Sequence, residues 1–114
     1  MREIRFYRSP SGNCPVEEFL DSLAGKVAQK FLWVMQIIEE LENVPKHYFK
    51  KLTGTDDLWE IRVQAGGNDY RILGFFIAGN VLILNHAFQK KSQKTPLKEI
   101  KLAESRKRDY LNSN

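Results

Sequence analysis

Three stretches with the residue pattern of β-strands lie close together in this sequence and constrain its fold more than any other feature. They are residues 58–63, 70–77 and 81–87. The first alternates apolar and polar residues, and the other two are largely apolar. Only short segments containing glycine separate them, and connections of that length join neighbouring antiparallel strands. The pattern predicts a three-stranded antiparallel meander.

The amino-terminal part has the patterns of a short strand and a helix. Residues 3–7 alternate as a half-buried strand does, and a loop over 9–13 containing proline and glycine ends it. Pro15 suits the first position of a helix over residues 15–23, with Asn13 or Cys14 as its cap. We therefore predict one strand followed by one short helix.

Two further helices are predicted, one on each side of the meander. Thr95 is the expected cap of a carboxyl-terminal helix that has Pro96 at its first position and extends to about Tyr110. The other helix ends before Pro45 and carries one apolar stripe at steps of three and four residues. The stripe consists of Val27, Phe31, Val34, Ile38 and Leu41.

The predicted order is strand, helix, helix, three strands, helix. This order indicates an α+β fold in which two helices pack on one face of the sheet. The chain has 114 residues, a length that suits one domain spanning residues 1–114. We find no internal repeat and no low-complexity segment.

Composition and motifs exclude several classes of protein. The longest apolar runs fall far short of the roughly 20 residues of a membrane helix, and the amino terminus has no hydrophobic signal core. The single cysteine allows no internal disulfide. Nucleotide-binding and zinc-binding motifs are missing, and His47 and His86 are far apart without acidic residues at ligand spacing. We expect a cytoplasmic protein with no membrane association, no metal and no cofactor.

The charges are distributed unevenly along the chain. Residues 15–45 contain six acidic and two basic residues, whereas residues 86–108 contain eight basic and two acidic residues. A surface polarised in this way suggests an anionic partner, and nucleic acid is the leading candidate. A solvated basic helix would give the same composition.

Cations also occur on the predicted strands, where burial is costly unless they are paired. Arg62 ends the first meander strand, Arg71 begins the second, and His86, Lys90 and Lys91 lie at the end of the third. Short turns bring these positions together at one corner of the sheet. Considered alone, each arginine could instead form a salt bridge, Arg62 with the neighbours of Glu60 and Arg71 with Asp69. A bound phosphate would satisfy several of the cations at once.

Several of these segments resemble a known family. The segments are LWEIR at 58–62, YRILGFF at 70–76 and HAFQKKSQKTP at 86–96, together with PVEEFL at 15–20 and FKKL at 49–52. They resemble the RelE/HigB toxin superfamily, in its phage-derived HigB-like branch. The resemblance implies a RelE-like fold and a toxin of a type II toxin–antitoxin system. Such a toxin cleaves mRNA, usually on the ribosome, without a metal.

The resemblance also implies roles for individual residues. The RNA 2′-hydroxyl would attack the adjacent phosphate, which requires a base, cations for the developing charge and an acid for the leaving oxygen. The expected catalytic residues are Arg62, Arg71, His86, Lys90 and Lys91, and the expected RNA-binding or ribosome-binding residues are Lys50, Lys51, Gln89 and Lys94. Glu60 stands where relatives carry a lysine as candidate base, so both His86 and Glu60 are candidates for the general base.

The resemblance further implies partners and leaves other functions open. The expected partners are the ribosome, mRNA and a helix-turn-helix antitoxin similar to HigA. One alternative is a non-catalytic inhibitor of DNA gyrase similar to ParE proteins of the same superfamily. Another is a module that binds RNA or protein and has lost its toxicity.

Overall fold

Five strands and three helices make up the structure, a computed structural model that describes residues 1–113. The elements in chain order are β1 Glu3–Phe6, α1 Pro15–Asp21, α2 Gly25–Glu40, β2 Phe49–Lys51, β3 Trp59–Ala65, β4 Asn68–Ile77, β5 Val81–Lys90 and α3 Leu97–Asn112. The α+β class is therefore confirmed. None of the helices within residues 1–113 is both long enough and apolar enough to cross a membrane.

The predicted meander forms the centre of the sheet. The strand order is β1-β5-β4-β3-β2, and β4 pairs antiparallel with both β3 and β5. Ala78 and Gly79 both have positive φ, which suits the tight turn between β4 and β5. β1 extends the sheet by parallel pairing with β5.

The strand β2 was not predicted, so the strand count inferred from the sequence was wrong. Phe49 pairs with Ile61 and Lys51 with Trp59, in antiparallel register along the edge of β3. A strand of three residues is too short to show an alternating pattern. Its existence depends on the neighbouring strand rather than on its own sequence.

Helices cover both faces of the sheet. α1 and α2 pack on one face, where Phe31, Val34 and Ile38 of the predicted stripe are buried. Leu41 lies beyond the end of α2 and is 48% exposed, so its place in the stripe was wrong. α3 packs on the opposite face through Ala103. The sheet is consequently the middle one of three layers, where only one covered face was predicted.

A β-bulge in β5 determines which face its last residues occupy. Gly74 pairs with Leu84 and Leu73 pairs with His86, so Asn85 is an extra residue between the two pairs. Leu84 faces α1 and α2. Because the bulge restarts the alternation, His86 lies on the face that α3 covers.

The beginning of α3 differs from its prediction. Pro96 is the residue that precedes the helix, and no side chain caps the helix amino terminus. Backbone groups of Glu99 and Ile100 donate instead to the Pro96 carbonyl. Thr95 is therefore not the cap, and its hydroxyl bonds to a side chain of β3.

Candidate functional site

Glu60 is the centre of a buried polar cluster on the α3 face of the sheet. Its side chain is 4% exposed, and Arg62 Nε and Arg71 Nε each lie 3.5 Å from one of its carboxylate oxygens. The Thr95 hydroxyl donates to Oε2 of Glu60 over 3.0 Å. One carboxylate thus faces two guanidinium groups, which leaves the cluster with a positive charge.

The antiparallel pairing of β3 and β4 brings the two arginines together. Arg62 pairs directly with Arg71, so the two are neighbours as predicted, whereas the strand partner of Arg71 on β5 is Phe88 and not the expected His86. The side chain of Arg71 is 2% exposed and that of Arg62 is 33% exposed. Among residues 1–113, neither Nε has a hydrogen-bond partner, because the ion pairs with Glu60 lack hydrogen-bond geometry. Both N–H groups are therefore buried beside the Glu60 carboxylate without a hydrogen bond of their own.

The environment of Arg71 weakens its hold on its proton. Burial lowers the pKa of Arg71 below its ordinary value, Glu60 opposes that shift, and the neighbouring charge of Arg62 adds to it. The guanidinium nonetheless stays protonated in proteins. An anion bound at this position would relieve both the repulsion between the arginines and the cost of burying the charge.

His86 lies on the same face but is held by α3. Its Nε2 is 3.0 Å from a Glu99 oxygen, and its Nδ1 is 3.0 Å from Nη1 of Arg106. Because a guanidinium only donates, Nδ1 accepts and Nε2 carries the proton that Glu99 accepts. Burial is the main cause that lowers the pKa of His86, and the Arg106 charge acts in the same direction. Both ring nitrogens thus contact residues of α3, Glu99 and Arg106, and neither contacts Arg62 or Arg71.

The other predicted cations of this corner lie where β5 ends. Lys90 pairs with Asp69, two residues along β4 from Arg71, and its ammonium donates to the Gln93 carbonyl over 2.7 Å. Lys91 is exposed. Both lysines line an open polar cleft of about 640 Å³. Together with Arg62 and Arg71, the two lysines form a group of cations that we call the cationic corner, and they lie on its side toward solvent.

The residues predicted to bind RNA or the ribosome do not all lie on the face of the Glu60 cluster, because the strand partners of Lys51 and Gln89 pack toward α1 and α2. Lys50 pairs with Glu60, while Lys51 pairs with Trp59 and forms a 3.0 Å ion pair with Asp57. Gln89 donates to the side chain of Asn68, and Lys94 is exposed in the loop before α3. All four side chains are accessible from solvent.

A second cleft, which the sequence did not reveal, adjoins the two arginines. It measures about 230 Å³, and it is lined by Lys30, His47, Tyr48, Arg62, Gln64 and Arg71. These residues come from α2, from the loop before β2 and from two strands. Because no fixed spacing links positions from separate elements, no sequence pattern could have grouped them.

Comparison with known proteins places the chain in a family. Residues 18–108 match the profile of the family described as "Phage derived protein Gp49-like (DUF891)", which is associated with RelE-like toxins. No curated protein matches the chain. The matched region includes the cluster of Glu60, Arg62 and Arg71. Because the match covers most of its length, the chain belongs to the Gp49-like family of phage-derived proteins.

Proposed function

We propose that this protein is the toxin of a type II toxin–antitoxin system, similar to HigB, and a metal-independent endoribonuclease that cleaves mRNA on the ribosome. Membership of the Gp49-like family supports the toxin assignment. The pair of Arg62 and buried Arg71, each with an Nε lacking a hydrogen-bond partner within residues 1–113, supports phosphate chemistry. This pair is the observation that carries the proposal.

In the proposed reaction, the RNA 2′-hydroxyl attacks the adjacent phosphorus, and the bond to the 5′-oxygen of the next nucleotide breaks. The products are a cyclic phosphate and a free 5′-hydroxyl. Negative charge accumulates on the non-bridging oxygens in the transition state, where Arg71 and Arg62 donate hydrogen bonds to it. Because both arginines are held by a buried carboxylate, little reorganisation is needed when the charge develops.

Glu60 is our choice for the general base. It contacts both arginines, whereas the two ring nitrogens of His86 are engaged by Glu99 and Arg106. A base must lie within hydrogen-bond reach of the proton that it removes, and a carboxylate beside the phosphate meets that condition. His86 then acts by holding α3 against the sheet.

Lysines supply the remaining functions of the site. Lys90 or Lys91 would protonate the leaving oxygen or stabilise its charge, since Lys90 ends β5 two residues beyond Phe88, the strand partner of Arg71, and Lys91 comes next. Lys50, Lys51, Gln89 and Lys94 would contact the RNA or ribosomal RNA. Contacts of this kind to phosphates contribute affinity without sequence preference.

The proposed protein partner is a helix-turn-helix antitoxin similar to HigA. We expect it to cover the cationic corner, because residues 86–108 carry eight basic and two acidic residues, an excess of positive charge that an acidic partner surface would match. Occupying that corner would block access of RNA to Arg71 and Lys90. Co-purification with the product of the neighbouring gene tests this expectation.

The proposed function is tested by expressing Arg71→Ala and mapping the 5′ ends of cellular transcripts. Wild-type expression should halt growth and produce new mRNA ends in translated regions, and the substitution should lower cleavage by about 10²-fold to 10³-fold. Arg5→Ala is the matched control, since Arg5 is an exposed strand arginine that forms an ion pair with Glu3 on the surface. Arg71→Lys, which keeps the charge, serves if Arg71→Ala does not fold.

Growth arrest with uncut transcripts and induced DNA damage would contradict the proposal and indicate a gyrase inhibitor. Expression without growth arrest would indicate a module that has lost its toxicity. If folded Arg71→Ala cleaved mRNA at the wild-type rate, Arg71 would not be the residue that binds the scissile phosphate.

A further inference from the structure

The cleft beside Arg62 and Arg71 opens at the edge of the sheet where β2 ends. β2 pairs with β3 from Trp59 to Ile61, and the Arg62 amide donates to the Tyr48 carbonyl over 2.8 Å. Farther along β3, the Lys30 ammonium donates to the Gln64 carbonyl over 2.6 Å. A helix and a loop, rather than another strand, therefore form the wall of the cleft.

The charge of the cleft suits an anionic ligand such as a nucleic acid rather than a basic or neutral one. Its lining residues include three permanently cationic side chains, those of Lys30, Arg62 and Arg71, and within the described chain none of its lining residues is acidic. The Arg71 side chain is 2% exposed, and its Nε lacks a hydrogen-bond partner within residues 1–113. Because both arginines line the cleft, an RNA chain with one phosphate at the arginines would continue into it.

Aromatic rings lie beside these cations. The rings of His47 and Tyr48 have centroids 4.0 Å apart, and Trp33 contacts Tyr48 edge to face at 5.6 Å. His47 is exposed, Tyr48 is half-buried, and Trp33 is 50% exposed although it is a large apolar residue. Accessible aromatic rings next to cations are the surface on which single-stranded RNA stacks its bases.

We infer that this cleft binds the nucleotide next to the scissile phosphate, with its base stacked on His47 or Tyr48. Lys30 would contact the following phosphate, and the Gln64 side chain, which is exposed, would reach the edge of the base. The inference rests on the proposed function, because Arg62 and Arg71 must hold the phosphate that places the nucleotide. It adds a base-binding site to a surface otherwise assigned to phosphates.

The test is a binding titration with a short single-stranded RNA that has a 2′-deoxy nucleotide at the cut position and therefore resists cleavage. The chain contains two tryptophans, so Trp59→Phe leaves Trp33 as the fluorescent reporter next to Tyr48. We expect the RNA to change the Trp33 emission, and Tyr48→Ala to weaken binding about tenfold. Leu32→Ala is the matched control. Leu32 is 57% exposed on α2, the helix that carries Trp33, and it does not line the cleft.

A second RNA, with an abasic nucleotide next to the deoxy position, isolates the base. It should bind the Trp59→Phe protein about tenfold more weakly than the intact RNA, and adding Tyr48→Ala should cause little further loss. Equal binding of the intact and abasic RNAs would overturn the inference. If Arg71→Lys still weakened binding in that case, the proposed function would stand without the base site. If the Trp33 emission changed only when the antitoxin was added, this face would bind protein instead of RNA. That result would also overturn the inference.

Discussion

The Thr95 hydroxyl donates a 3.0 Å hydrogen bond to Oε2 of Glu60, joining the loop before α3 to the beginning of β3. The same carboxylate lies 3.5 Å from Nε of Arg62 and of Arg71. The position of the α3 amino terminus and the position of the arginines therefore depend on one carboxylate. A substitution at Thr95 should therefore lower both the free energy of unfolding and the rate of mRNA cleavage.

Thr95→Val should lower the free energy of unfolding by about 1–3 kcal/mol, because a buried carboxylate oxygen loses its hydroxyl donor. We also expect mRNA cleavage to fall by about tenfold or more, since the arginines lose the fixed position of their counter-ion. Urea unfolding and cleavage of translated mRNA measure the two effects. Thr95→Ser, which keeps the hydroxyl, is the control and should behave nearly as wild type. Wild-type cleavage by Thr95→Val would mean that this bond only anchors the loop.

Gly74→Ala should destabilise the protein by about 2–3 kcal/mol. A methyl group at this position would lie 2.5 Å from the Ile83 carbonyl oxygen and 2.9 Å from a Leu84 side-chain carbon, at the bulge where β4 meets β5. Because one of the obstacles is backbone, a rotamer change cannot remove the clash. Gly25→Ala is the matched control, since nothing lies within 4 Å of its added methyl group. A similar thermal midpoint for the two variants would contradict this account of the bulge.

Sequence reasoning succeeded where the structure depends on local periodicity. The meander and the buried positions Phe31, Val34 and Ile38 of α2 repeat at strand or helix spacing. The pairing of Arg62 with Arg71 followed from the short connection between their strands. These features needed no information beyond neighbouring residues.

The features that sequence reasoning missed depend on contacts between distant segments. The bulge at Asn85 turns His86 to the α3 face, and the Asn85 amide donates to the Ala103 carbonyl over 2.8 Å, a partner 18 residues away. The contact of Thr95 with Glu60 likewise competes with the helix cap that its sequence context suggested. The cleft near Tyr48 draws on separate elements whose arrangement follows only from the fold.

Tyr7→Phe should lose less of its free energy of unfolding than wild type as the pH rises above 10. Burial and the hydrogen bond to Asp109, 2.6 Å long, raise the pKa of Tyr7 to about 12, from an ordinary value of 10.0. Because the folded state keeps a proton that the unfolded chain loses near pH 10, this stabilisation is complete below pH 10 and is lost as the pH rises toward 12. Near pH 8 the variant should be about 1.5–3 kcal/mol less stable than wild type. Urea unfolding should show that difference narrowing above pH 10, and a constant difference would contradict the assignment.

His86→Gln should change the acid stability of the protein while leaving mRNA cleavage largely intact. Burial holds the pKa of His86 in the folded state below its ordinary value of 6.5, so near that pH the unfolded chain takes up a proton that the folded chain does not. The stability linked to neutral His86 is therefore present above pH 6.5 and is lost as the pH falls below it. Urea unfolding at several pH values should show a smaller acid loss in His86→Gln than in wild type, while His47→Gln, at an exposed histidine, should keep the wild-type loss. If folded His86→Gln failed to cleave mRNA at neutral pH, His86 would replace Glu60 as the general base.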